Sequence, residues 1–239
     1  MTLIITICVR DGIVMASDSR LTFNVTQQVQ NQQVTQLAIA QSDTNYKTFL
    51  MQNKIGISVF GQAELSGVPI SGFIETFINT LPQTLISQVP QHLLHYLRNL
   101  PGPPNTYFHI AGYENNNQGI PEQHLYDVDI LHNSFNRIHS PAVWGGEADV
   151  LNRLIQPVGM RSGQPGNYIY TDLPFFDIQF QIFTLQDAID FSIYAIKSTI
   201  DSMRFHSRPK TVGGPIDVLV IKPEKAWFIQ RKQLHGETE

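Results

Sequence analysis

The sequence predicts an α+β fold, a four-layer αββα sandwich of two antiparallel sheets flanked by helices. Three observations lead there. Strand-type segments cluster in two blocks of the chain, and each block is followed by a pair of segments with apolar residues at helical spacing. Turn-forming residues join neighbouring strand segments closely enough for hairpins, which makes the sheets antiparallel. Stacking two such sheets face to face, with a helix layer outside each, buries every apolar face.

The first hairpin spans residues 3–9 and 13–16 across the turn Arg10-Asp11-Gly12, where glycine accepts positive φ at no steric cost. Residues 22–45 follow, rich in glutamine and poor in charge, and read as an inserted polar hairpin or flap. A second hairpin covers 46–51 and 55–61 across Gln52-Asn53-Lys54. Strand alternation there puts Asn45, Lys47 and Phe49 on one face, and Val59, Gly61 and Ala63 on another. Ile70, Phe73, Ile74, Phe77, Ile78 and Leu81 predict a helix over 66–81, with Pro69 in its first turn, and a second helix follows Pro90. Strands are expected at 107–113, 123–131 and 135–139, the first turn being Asn115 to Gly119. Trp144-Gly145-Gly146 leads into a helix over 147–156, and residues 157–182, rich in Gly, Pro, Tyr and Phe, read as a second insertion. The helix over 184–205 starts on a capping-box pair, Thr184 with Asp187, and carries the stripe Leu185, Ile189, Ile193, Ile196, Ile200 and Met203. Strands at 216–221 and 227–230 close a single domain, residues 1–239.

Composition narrows the function. A net charge of −4 with 15% charged residues gives no basic footprint, so nucleic acid is not an expected partner. Cys8 is the one cysteine; lying in an apolar strand, it reads as a buried structural thiol in a reducing, cytoplasmic setting. The apolar run at 3–9 has no basic residue before it and stops at Arg10, unlike a signal peptide, and no run reaches membrane-spanning length. His124, Asp127, Asp129 and His132 resemble metal ligands, but alternation turns His124 away from both aspartates, and no metal or cofactor is expected.

Thr2 is a hydroxyl residue that loss of Met1 would leave with a free amine, a combination that builds a nucleophile and its base from one residue. Thr2 through Arg20, with the Asp-Gly turn and the Ser17-Asp18-Ser19-Arg20 end, then Lys47, Phe60-Gly61-Gln62-Ala63, Ala111-Gly112-Tyr113 and Leu125 to Asp129, resemble the proteasome β-subunit family of N-terminal nucleophile hydrolases. The closing Val212-Gly213-Gly214-Pro215-Ile216-Asp217-Val218-Leu219 is similar to the bacterial Anbu branch. The resemblance implies the N-terminal nucleophile fold and a threonine-type peptidase inside a self-assembled, homo-oligomeric particle acting on peptides or unfolded protein. It implies Thr2 as nucleophile, Asp18 and Lys47 as its charged partners, and the Gly61 N–H as oxyanion donor. Matching the family's pocket adds Leu21, Thr22, Asn45, Phe49, Val59 and Ala63 as substrate contacts, mostly apolar and without charge.

Two departures stand out. Where the family has a Gly-Ser-Gly turn, this chain has Gly145-Gly146-Glu147, and Lys210 and Gly213 occupy the positions of a supporting aspartate and serine. Glu147, Ser207 and Thr211 are candidate replacements. These departures favour a second reading, a catalytically silent structural subunit of such an assembly, and the two insertions open a third, an N-terminal nucleophile amidase with a pocket for a small amide.

Overall fold

In the computed structural model, which describes residues 2–29, 32–81 and 84–233, the Asp-Gly hairpin forms as β1 (Leu3–Val9) and β2 (Gly12–Ser17). The glutamine-rich segment is itself a hairpin, β3 (Leu21–Val29) with β4 (Gln32–Ser42), broken by a bulge between Phe23 and Val25. The next hairpin is shorter than alternation suggests: β5 (Thr48–Leu50) pairs with β6 (Gly56–Gly61), leaving Asn45 and Lys47 outside the strand. A two-residue ladder, β7 (Glu64–Leu65) with β8 (Val68–Pro69), then delays α1 to Ile70–Thr80. Ser66 and Gly67 carry φ of 53° and 78° in that tight turn, which is incompatible with the helix expected from residue 66. α2 is Val89–Arg98, with Pro90 in its first turn.

β9 (Thr106–Asn115), β10 (Pro121–Asp129) and β11 (Ser134–Arg137) form a meander. β12 (Ala142–Gly146) precedes α3 (Asp149–Ile155). The second insertion folds as β13 (Gly159–Gln164) with β14 (Asn167–Asp172). α4 (Leu185–Met203) begins on the expected capping box, and β15 (Asp217–Ile221) with β16 (Ala226–Gln230) ends the order.

Two five-stranded antiparallel sheets result, ordered β12-β1-β2-β15-β16 and β11-β10-β9-β6-β5. Alternation assigns their faces. Leu3, Ile5, Ile7, Val14, Ala16, Val218 and Val220 pack with α3 and α4 residues such as Leu151, Ala188 and Ile196. Ile57, Val59, Phe108, Ile110, Tyr126 and Val128 pack with Ile74, Phe77, Leu93 and Leu97 of α1 and α2. The opposite faces meet through Ile13, Met15 and Leu219 of one sheet and Ala111 and Leu125 of the other. This mixed α+β arrangement is compatible with the expected sandwich.

The seam between the sheets is partly polar. Thr48 Oγ1 donates to Ser17 Oγ at 2.9 Å and lies 2.9 Å from Ser58 Oγ, while Thr6 Oγ1 and His109 Nδ1 are 3.1 Å apart. Each hydroxyl is buried and partnered, so hydrogen bonds offset the cost of burying these groups in the seam. Cys8 borders the apolar part of the same seam, and burial pushes its thiol up to about 12. Among the described residues no helix is long and apolar enough to cross a membrane.

Candidate functional site

The site begins at Thr2, where the edge of one sheet holds the chain from two sides. The Thr2 carbonyl accepts from the Glu147 N–H at 2.7 Å, and the Leu3 N–H donates to Asp18 Oδ1 at 3.0 Å. The first contact requires Gly146, which ends β12 opposite Leu3 with φ of 96°. A Cβ there would lie 1.7 Å from the Thr2 oxygen. Thr2 itself is 4% exposed.

Asp18 follows β2 directly and is fully buried. Its Oδ1 accepts from Lys47 Nζ at 2.8 Å as well as from Leu3, and its Oδ2 accepts from the Arg20 and Gly213 N–H groups at 3.1 and 3.0 Å. Four donors satisfy the carboxylate and fix its orientation. Burial pulls the Lys47 ammonium below the ordinary lysine range, while the charge and hydrogen bond of Asp18 pull it back up. One carboxylate oxygen therefore ties the buried ammonium to the amide that follows Thr2.

Beside Thr2 lies a cavity of about 600 Å³. Phe60, Gly61 and Gln62 form one wall, Asn105 and Tyr107 another, and Gly146 with Glu147 the third. Gly61 has φ of 102°, and a Cβ would approach the Asn105 carbonyl to 2.7 Å, so glycine alone fits this bend. The Phe60 and Tyr107 rings stack with centroids 5.3 Å apart.

The structure thus brings Thr2, Asp18, Lys47 and Gly61 to one end of the two sheets. The expected wall residues are placed differently. Phe49 and Val59 are 4% and 6% exposed in the core beneath α1 and α2, and do not line the cavity beside Thr2. Leu21 is buried at the start of β3, and Thr22 next to it has a buried hydroxyl with no partner among the described residues. Asn45 is half-buried and accepts from the Ser71 hydroxyl at 2.9 Å. Ala63 is half-buried in the segment after β6, where its carbonyl accepts from the Ile70 N–H. The expected loss of Met1 concerns a residue outside the described ones.

The structure also gives physical reasons for the two departures. A Cβ at Gly213 would lie 2.4 Å from Arg20 Cζ, and the Arg20 guanidinium is held there by Asp43 at 2.6 and 2.7 Å. A serine does not fit position 213 while Arg20 occupies that space; the Gly213 backbone instead supports Asp18. Lys210 points away, donating to the Met203 and His206 carbonyls. Glu147 stands at the cavity, its carboxylate 3.6 Å from Arg208, which also grips Asp149 through two 3.1 Å bonds. Sequence reasoning missed Tyr107 and Asn105, which reach the site only because β9 pairs with β6 in a register that sets Thr106 against Gly61.

The chain matches no known family model and no curated protein, so the residues and their geometry carry the functional argument.

Proposed function

We propose that this chain is a four-layer αββα sandwich of the N-terminal nucleophile type and a threonine peptidase once Thr2 carries a free amine. The observation that supports this reading most directly is the Asp18 Oδ1 atom, shared between the Lys47 ammonium and the Leu3 amide directly after Thr2, which with Gly61 borders the cavity.

In this reading the Thr2 hydroxyl attacks the carbonyl carbon of the scissile amide and passes its proton to its own α-amine. An α-amine titrates near ~8, so a nearby ammonium that disfavours its protonation leaves it able to act as base. Lys47, held by Asp18, supplies that charge. The negative charge that develops on the carbonyl oxygen is met by the Gly61 N–H, a type of donor worth about 3 kcal/mol of barrier. Collapse breaks the C–N bond as the amine returns the proton to the leaving nitrogen; water then hydrolyses the Thr2 ester by the same route. The stacked Phe60 and Tyr107 rings suit an apolar or aromatic side chain of the peptide.

Thr2→Ala tests the assignment. Hydrolysis of fluorogenic peptides ending in an aromatic residue should fall to background with the fold intact, and Thr2→Ser should keep part of it. Undiminished turnover in Thr2→Ala would place any activity elsewhere. Mass spectrometry of the purified protein should find chains beginning at Thr2. A structural, silent subunit is the second reading, favoured by Arg20 filling the space of the family's supporting serine; it predicts no hydrolysis in either protein.

A further inference from the structure

Behind the Asp18–Lys47 pair lies a second buried ion pair that no part of the proposed chemistry uses. Asp217, the first residue of β15, stands opposite Ser17 in the ladder with β2, one residue before Asp18. Its carboxylate takes both the main-chain N–H of Lys232 at 2.8 Å and the Lys232 ammonium. The same ammonium donates to Ser19 Oγ at 2.8 Å, and that hydroxyl donates to the Pro215 carbonyl at 2.6 Å. The side chains of Lys232 and Asp217 are 3% and 0% exposed. The Tyr46 ring, from the residue preceding Lys47, lies 4.4 Å from Lys232 Nζ. Residues 17–19 therefore carry Asp18 between two buried lysines, each bound to an aspartate.

We propose that Lys232 is a positioning residue for the Thr2 site. As the second ammonium of this two-lysine, two-aspartate cluster it fixes the charge that Lys47 experiences, and through Ser19 it anchors the segment presenting Asp18. The consequence for catalysis rests on the proposed function; the geometry does not.

The other charged groups that act on the cluster are Arg20, Asp43 and Arg231, together with Asp18, Lys47, Asp217 and Lys232 themselves. Burial is the largest influence on both lysines, and it draws each below the ordinary range. Lys232 lowers Lys47 further, and Asp18 raises both, so the two pairs are electrically coupled. A buried charge is costly to leave unpaired. Asp217 keeps Lys232 charged, and the positive charge of Lys232 then opposes full protonation of the groups around Asp18.

The test is a charge-removal series in the full chain: Lys232→Met, Asp217→Asn, and the double variant. The readout is the Lys47 titration midpoint, followed by NMR on lysine-labelled protein and assigned by Lys47→Arg. Removing the Lys232 charge should raise that midpoint by roughly one pH unit, whereas Asp217→Asn, which takes away the carboxylate that keeps Lys232 charged and so lets it go neutral, should behave as the double variant does. The double variant, which leaves neither charge unpaired, should return near wild type. In protein that hydrolyses peptides, the acid limb of kcat/KM should move in the same directions. A purely structural role would lower kcat at every pH and move neither midpoint nor limb, which would overturn the inference. Should Lys232→Met fail to fold, Lys232→Gln, which keeps a polar group near Ser19, should give the same upward shift and carries the decision. Midpoints that shift in a protein without peptidase activity would sink the proposed function and leave this inference standing.

Discussion

His109 is the most strongly perturbed histidine described, drawn from 6.5 to about 4 by burial in the seam between the sheets. Its neutral ring is matched to the Thr6 hydroxyl, 3.1 Å away, and no carboxylate is among its hydrogen-bond partners there. The folded form resists protonation more than the unfolded chain does. The unfolded state therefore binds more protons between those two values, and stability falls as pH drops through that window. Below it the loss is complete, amounting to about 3 kcal/mol at 1.36 kcal/mol per unit. Chemical denaturation at pH 7.5 and at about pH 4 should show this loss, and His109→Gln should remove most of the difference. A wild-type profile that His109→Gln leaves unchanged would assign the acid sensitivity to carboxylates instead.

Among the elements, β12 departed from the sequence pattern, and α4 differs from it in the make-up of its buried face. The segment Ala142-Val143-Trp144-Gly145-Gly146 has two glycines and no clean alternation, yet it forms the edge strand beside β1. Gly145 lies against the Phe60 ring, where a Cβ would come within 2.5 Å, and Gly146 reaches the Thr2 carbonyl. Close approach, rather than propensity, makes this segment a strand. Gly146→Ala should therefore cost roughly 2–4 kcal/mol, through the clash and the positive φ together. It should also displace the Glu147 N–H from Thr2, so peptide hydrolysis should fall further than the stability loss explains; thermal melts and turnover on the same sample separate the two. In α4 the buried face runs through Ala188, Ser192, Ala195 and Thr199 as well as Ile189, Ile196 and Met203, whereas Leu185, Ile193 and Ile200 are only partly buried. Small residues let the helix sit close on β1 and β2, with Ser192 and Thr199 satisfied by carbonyls one turn back.

For the molecule as a whole, the unexplained surface is the second insertion. Every residue of β13 and β14 is exposed, and Ile169, Tyr170 and Phe176 are among the most open apolar side chains. Phe180 and Phe183 of the same stretch behave differently, packing edge-on with Phe191 of α4. An exposed apolar hairpin rooted in a packed aromatic base is suited to self-association within the proposed particle. Light scattering at micromolar concentration should find a mass well above 27 kDa. Replacing 159–172 with a short Gly/Ser link should reduce that mass while leaving the melting temperature of the dissociated unit nearly unchanged, because no buried contact is lost. A monomer in both proteins would remove the assembly from the proposal.

Local signals were enough for much of this chain. The Asp-Gly turn, the Thr184 and Asp187 capping pair and the Asn-rich turn each act over a few residues, and each element they delimit appears close to where it was read. Thr2, Asp18, Lys47 and Gly61 entered through the resemblance to a known family, and the first hairpins bring them to one end of the sheets. The walls of the cavity were not legible. Strand alternation gives the face of Phe49 and Val59 but not which layer covers that face, and α1 and α2 cover it. Tyr107, Asn105 and Glu147 lie 40 or more residues from Gly61, and pairing between β6 and β9 and between β1 and β12 decides their approach. The Lys232 contacts are of two kinds: Asp217, 15 residues away, is brought by the hairpin of β15 with β16, whereas Ser19, 213 residues away, is brought by the pairing of β15 with β2.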